Sequence, residues 1–168
     1  NPIVRFDGGD AMLGTWSYST SPFSFLAVWK RTTLVNFAGI LTAIGSTGND
    51  WDNVNGFSFE AGTNSPTVVE YSLNHQGFQL RATDSITSFA VVVGTRDGTA
   101  QNLYYKGANA TTTTSGTAQS TSGTMTVFGV GGRTSNGALE AGSRLNGDIA
   151  YLTWLPSLLT TPQRRRIE

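Results

Sequence analysis

The chain contains no cysteine and a single histidine. Disulfides and thiolate metal sites are therefore excluded, and a nucleophile–base pair or a zinc centre has almost nothing to be built from. Charge is scarce as well: Asp, Glu, Lys and Arg make up 13% of the residues, about half the ~25% usual in soluble domains. Lys+Arg and Asp+Glu both number 11, for a formal net charge of zero, which removes the electrostatic reason to expect nucleic acid or an anionic membrane as partner. The one basic cluster, Arg164-Arg165-Arg166, reads as the solvated face of a terminal helix. No apolar run approaches the ~20 residues needed to span a bilayer, so membrane insertion is not expected. The opening Asn1-Pro2-Ile3-Val4-Arg5-Phe6 has neither an initiator Met nor a signal-peptide pattern, and reads as the start of a processed product or of a segment of something longer.

Gly, Ser and Thr take the place of charge, and between them runs a period of two. In Phe23-Ser24-Phe25-Leu26-Ala27-Val28-Trp29-Lys30, the residues Phe23, Phe25, Ala27 and Trp29 fall on one face and Leu26 and Val28 on the other. Both faces are covered, as an inner strand of a packed sandwich requires. Ser88 to Gly94 reads likewise as a buried strand, ended by the turn signal Arg96-Asp97-Gly98. Further strands are predicted over 39–45, 56–60, 68–73, 77–82, 102–106, 124–130 and 148–154, separated by the Gly, Asn, Asp, Ser and Thr that make turns. Thr161 as N-cap and Pro162 at the first helical position predict one short helix to the C-terminus. The Thr/Ser/Gly/Ala run from Thr111 to Gly123 reads as an exposed loop. At 168 residues the chain fits one all-β domain over 1–168, large enough to bury about 70% of its unfolded surface without covalent staples.

Five motifs then occur in a telling order. Val4-Arg5-Phe6-Asp7-Gly8-Gly9-Asp10 resembles the first strand and Phe-Asp-Gly turn of the laminin-G-like, concanavalin A-like domains of bacterial surface proteins and phage particles. Phe23 to Leu34 resembles that family's alternating aromatic strand. Leu103-Tyr104-Tyr105-Lys106-Gly107-Ala108 is similar to its Leu-Tyr-Val-Asn-Gly-Val hairpin, with Lys106 where Asn is usual. Val130-Gly131-Gly132-Arg133 resembles its Ile-Gly-Gly-Arg strand. Leu145 to Ala150, followed by Leu158 to Glu168, resembles its last strand and terminal helix. The resemblance runs from first strand to last. It implies an antiparallel two-sheet jelly-roll sandwich whose first and last strands lie together, with rim loops and one concave face open to ligands. It implies no particular ligand, because this fold hosts lectins, glycan hydrolases, adhesion modules and virion parts.

Catalysis is not expected. Glycan hydrolases of this fold place acids on alternate residues of one strand, and no such run exists here. Asp50 and Asp52 lie in the turn-rich run 47–55, Glu60 and Glu70 read as outward-facing solvated acids on separate strands, and His75 reads as a turn residue in Asn74-His75-Gln76-Gly77. Calcium is the one metal with a plausible site. The resemblance implies a rim site of one or two Asp carboxylates plus carbonyls, and Asp50 and Asp52 are the candidate ligands. A glycan is the leading ligand class, because an aromatic side chain stacks on the apolar face of a sugar while Asn, Asp and Arg hold its hydroxyls. Trp51, flanked by Asn49, Asp50, Asp52 and Asn53, is the first candidate, against the alternative that it plugs the end of the sandwich. Trp16 and Tyr18 come next, and Trp29 and Trp154 read as core. The reading is a non-catalytic recognition or adhesion module with a cell-surface glycan or protein as partner, displayed on the cell or virion surface as part of a larger extracellular or phage protein. The alternative is a structural domain of a virion (capsid decoration, head fibre or tail) that binds no small ligand and can self-associate into a homo-oligomer.

Overall fold

A computed structural model describes residues 2–51, 55–62, 71–75, 77–117 and 123–167. Among them are fifteen strands and one helix. The strands are β1 (Val4–Asp7), β2 (Met12–Ser19), β3 (Phe23–Arg31), β4 (Ala38–Ile44), β5 (Phe57–Ala61), β6 (Tyr71–His75), β7 (Phe78–Ala82), β8 (Ala90–Asp97), β9 (Ala100–Tyr105), β10 (Ala108–Asn109), β11 (Thr112–Ser115), β12 (Thr124–Val130), β13 (Gly132–Ser135), β14 (Ala138–Arg144) and β15 (Asn146–Leu155), and α1 is Thr161–Ile167. One sheet runs β1-β15-β3-β8-β9-β10 and the other β11-β7-β6-β5-β4-β12-β2, with the β13–β14 hairpin joined to β4. This is the antiparallel jelly-roll sandwich with a short C-terminal helix that the alternation and the resemblance both predicted. The first and last strands pair, Val4 to Asp7 against Ile149 to Asn146.

The period of two explains the core. Phe23, Phe25, Ala27 and Trp29 of β3 are fully buried and face Phe57 and Phe59 of the opposite sheet, with Phe25 and Phe59 ring centroids 4.6 Å apart. Trp29 is core, and half-buried Trp154 packs on Phe23 at 4.2 Å. The outer face of β3 is covered too, because the segment after β15 folds across it. The Leu159 N–H donates to Ser24 Oγ at 2.8 Å, and the Arg164 guanidinium lies 3.7 Å from the Tyr104 ring centroid. Arg164 is therefore largely buried, while Arg165 and Arg166 are solvated as expected.

Several expectations need correction. The helix cap is Thr160, one residue earlier than predicted. Its Oγ1 accepts from the Gln163 N–H at 3.4 Å, and its own N–H donates to Gln163 Oε1 at 2.9 Å. This reciprocal pair is a capping box, and the Gln three residues on was the signal. The supposed loop 111–123 contributes strand β11, which pairs with β7 at the sheet edge, since Thr-rich sequence suits a strand as well as a coil. Val130-Gly131-Gly132-Arg133 is a corner rather than one strand. Gly131 takes φ +76°, and a Cβ there would stand 2.1 Å from Phe6, so the chain leaves β12 and turns into β13. His75 is not a turn residue but the buried end of β6. The Tyr105–Ala108 hairpin is as predicted, closed by Lys106 and Gly107 with φ of 51° and 77°. Positive φ at both positions is the geometry that suits the twist of paired strands, and it explains why Asn is the more usual residue where Lys106 stands.

Candidate functional site

Strands β5 and β6 turn their apolar residues inward, so their alternate residues, Ser58, Glu60, Ser72 and Asn74, form a polar row on the outer face. Register sets Ser58 opposite Asn74 and Glu60 opposite Ser72, and Gln79 and Arg81 extend the row onto β7. Glu60 is 1% exposed, which corrects its reading as a solvated acid; Glu70 lies outside the described residues. Glu60 accepts from Ser72 Oγ at 3.2 Å and from Asn74 Nδ2.

The β13–β14 hairpin lies over this face. Thr134 Oγ1 stands 3.4 Å from Thr42 Oγ1, and Gly39 is in such close contact with Gly132 that a Cβ would come within 2.4 Å of its carbonyl. That approach delivers Arg133 onto the polar row. Its Nη2 and Nε lie 2.5 and 3.0 Å from Asp50 Oδ1, and Nε is 3.5 Å from Glu60 Oε2 and 4.0 Å from Glu140 Oε2. Asp50 Oδ2 also accepts from the Thr134 N–H at 2.8 Å. The calcium candidate Asp50 is thus fully buried, with its oxygens occupied by Arg133 and the Thr134 amide; it is no exposed turn residue. Candidates Asp52 and Asn53 lie outside the described residues, and among those described no group of three acidic or histidine side chains could hold a metal ion.

Burial dominates the titration of both acids. Desolvation raises Asp50 to about 6 against the pull of Arg133. It raises Glu60 to about 7, again opposed by Arg133 and reinforced by the Asp50 charge. Asp50 has the bidentate guanidinium and the amide, so Glu60 is the acid that keeps its proton closest to neutrality.

Trp51, 36% exposed, follows Asp50 at the rim. With Phe37, Glu60, Gln79, Arg133 and Glu140 it lines a cavity of about 270 Å³. The Trp51 and Phe37 rings stand 5.8 and 5.9 Å from the Arg133 guanidinium carbon. Phe37 holds φ at 56°, a conformation that bulky residues rarely adopt and that tends to persist at functional sites. Asn49 turns to the hairpin and accepts from Ser135 Oγ at 2.9 Å.

Trp16 and Tyr18 are elsewhere. β2 turns them toward the interior at the open edge of the sandwich, where Trp16 stacks on Phe128 at 4.0 Å and Tyr18 meets the same ring edge-on at 6.2 Å. Trp16 lines a second cavity of about 450 Å³, bounded by Val4, Met12, Val130, Tyr151 and Trp154 among others and containing no charged residue. The structure therefore separates the two aromatic groups that the sequence analysis took together. It adds Phe37, Gln79, Arg133 and Glu140 to Trp51, residues from three distant stretches of chain; Arg133 ends the Val130-Gly131-Gly132-Arg133 motif, but nothing in the sequence marked any of the four as a site residue.

No family model matches the chain, and no curated protein sequence matches it. Solved structures do resemble it. A native heptameric SAP-like pentraxin from Limulus polyphemus aligns at TM-score 0.64 and 12% identity over 96% of this chain and 78% of that one. The CBM40 module of the Ruminococcus gnavus IT-sialidase aligns at TM-score 0.57 and 13% identity over 87% of this chain and 82% of that one. The same module bound to alpha2,3 sialyllactose aligns at TM-score 0.58 and 11% identity over 99% and 96%. At such identities the likeness is one of fold, a jelly-roll sandwich.

Proposed function

We propose that the chain is a non-catalytic glycan-recognition module of a larger extracellular or surface-displayed protein, with its site in the cavity between Trp51 and Phe37. The observation that carries this reading is the pairing of two solvent-reaching rings with a polar floor of Glu60, Gln79 and Arg133. A sugar ring needs both, an apolar platform for its C–H face and hydrogen-bonding groups for its hydroxyls. The carbohydrate-binding modules that share the fold support the ligand class. Glu60 has the proton affinity of an acid catalyst, but its oxygens are engaged by Asn74, Ser72 and Arg133, so it is assigned to holding the floor.

Trp51→Ala tests this. Because the indole is partly exposed, the variant is expected to keep the wild-type melting temperature and to lose at least tenfold in affinity for whichever glycan the wild type selects on an array, about 1.4 kcal/mol. The bound glycan should be recovered chemically unchanged. Equal binding by wild type and variant would move the site away from this loop.

A second reading, assembly, is favoured by the uncharged groove. Val4, Met12, Trp16 and Tyr151, which line it, are each 42 to 53% exposed, and β1 and β2 are the edge strands of their sheets. Exposed apolar groups beside unpaired strand edges invite a partner, and a chain of zero net charge does not repel its own copy. On this reading the wild type sediments as a homo-oligomer that Tyr151→Glu with Met12→Glu returns to monomer. A wild type that stays monomeric at high concentration removes the reading.

A further inference from the structure

We propose that the Trp51–Phe37 cavity takes a sugar bearing a protonated amine ahead of a neutral sugar, and rejects a sugar bearing a carboxylate. The inference rests on the glycan reading above and concerns which glycans the site admits.

It follows from which charges a ligand can reach. The cation of the cavity, Arg133, is 8% exposed and has three carboxylates within 4.0 Å. Asp50 takes two of its nitrogens. A ligand carboxylate would have to share this one cation with three acids already grouped around it, so its attraction to the guanidinium is offset by repulsion from its neighbours. A second cation, Arg81 on β7, directs Nε and Nη2 onto Gln79 Oε1, which uses the acceptor of the one side-chain amide that lines the cavity among the described residues. Among the described residues that line the cavity, the charge that reaches solvent is negative: Glu140 is 44% exposed, with Arg133 Nε 4.0 Å away.

The neutral groups lean the same way. The faces of Trp51 and Phe37 attract cations through their ring quadrupoles, and both rings already stand about 6 Å from a guanidinium. An ammonium group meets the exposed Glu140 carboxylate and two ring faces here; a carboxylate meets Glu140 and a guanidinium that three acids already surround. The module that shares the fold and was solved with alpha2,3 sialyllactose would then differ from this chain in ligand while matching it in architecture.

The test is calorimetric titration of the wild type and of Glu140→Gln, at neutral pH, with three probes: a glucosamine disaccharide, cellobiose and alpha2,3 sialyllactose. The expected order is glucosamine disaccharide first, cellobiose about tenfold weaker, as one charge-assisted hydrogen bond supplies, and no heat from sialyllactose. Glu140 is half exposed and bears no fold-defining contact, so Glu140→Gln is expected to fold normally and to bring the first two probes to equal affinity. Raising the salt should narrow the gap in the wild type. Sialyllactose binding as tightly as the other probes would overturn the inference and leave the glycan reading standing. Equal affinity for the amine and the neutral sugar in the wild type would do the same. Silence from all three probes with a folded protein would overturn both.

Discussion

Replacing Arg133 by methionine is expected to destabilise the domain by about 3–5 kcal/mol at neutral pH, the range measured when one partner of a buried ion pair is removed. The side chain is 8% exposed and stands between Asp50 and Glu60, both 1% exposed or less. Methionine fills the volume of the aliphatic stem but leaves two desolvated carboxylates facing each other without a cation. At 2–4 °C per kcal/mol for a domain of this size, a melting temperature about 10 °C lower is the observable.

The pH dependence separates this account from simple loss of packing. Both acids titrate higher in the folded chain, Asp50 at about 6 against 3.8 and Glu60 at about 7 against 4.5. A folded-state pKa raised above the unfolded value means that the folded state binds more protons in the window between them. The stabilisation is therefore fully present below the unfolded pKa and is lost as pH rises through the folded one. The wild type should be more stable near pH 5 than near pH 8, and the penalty of Arg133→Met should shrink at pH 5 as Glu60 and Asp50 take up protons. Asp148 works in the opposite sense, because hydrogen bonds from Arg5 and then Lys30 lower its pKa. Its contribution is lost only as pH falls below the ordinary carboxylate range, outside this window. Glu60→Gln, which keeps the shape and removes the charge, should flatten the profile between pH 5 and 8. A wild-type profile already flat there would contradict the titration argument.

Gly94→Ala is the second large effect. Gly94 sits opposite Phe25 in the β3–β8 pairing, and a Cβ there would stand 2.0 Å from Phe25 Cε1 and 2.3 Å from Cζ. The ring cannot retreat, because Phe57 and Phe59 hold its other side at centroid distances of 6.3 and 4.6 Å. One methyl group thus forces a shift in the most densely packed aromatic layer. Overpacking of this kind costs about 1–3 kcal/mol and occasionally more; with no flexible chain end to yield, about 3 kcal/mol is expected. Shrinking the obstacle should restore part of it. Phe25→Leu destabilises the wild type by leaving a cavity and should destabilise Gly94→Ala much less, so the double-mutant cycle should show a coupling above 1 kcal/mol. Additive effects of the two substitutions would show that the glycine serves the backbone and not the ring.

The strands were legible because alternation is a local property. Phe23 to Trp29 announces its buried face in the chain itself, and β12 was predicted with its observed ends, Thr124 and Val130. What misled was local resemblance between different outcomes. Thr-rich sequence serves an edge strand as well as a loop, which concealed β11, and Asn-His-Gln-Gly ends a strand as readily as it makes a turn, which concealed the burial of His75. Glu60 is the instructive case. Alternation with Phe57 and Phe59 correctly directs it to the outer face, and an outer acid is ordinarily solvated. Only the β13–β14 hairpin, about seventy residues further along, converts that face into an interior. No local pattern in 57–61 reports a cover that arrives from 132–144.

The site divides in the same way. Trp51 could be singled out as a candidate because an aromatic residue in a polar, Asp- and Asn-rich stretch has no core reason to be there. Phe37, Gln79 and Glu140 were ordinary in their own neighbourhoods, and Arg133 was legible only as part of the Val130-Gly131-Gly132-Arg133 strand motif, not as a neighbour of Trp51. The sequence by itself determined the fold class, because side chains of period two with turn residues between them can bury their apolar face only in packed sheets. Tertiary structure alone decided that Arg133 folds onto Asp50 and Glu60, that Trp51 and Phe37 share one cavity, and that Trp16 and Tyr18 belong to another. Those are contacts between distant segments, and their energies depend on burial and on charge–charge distance, quantities that exist only once the sheets have closed.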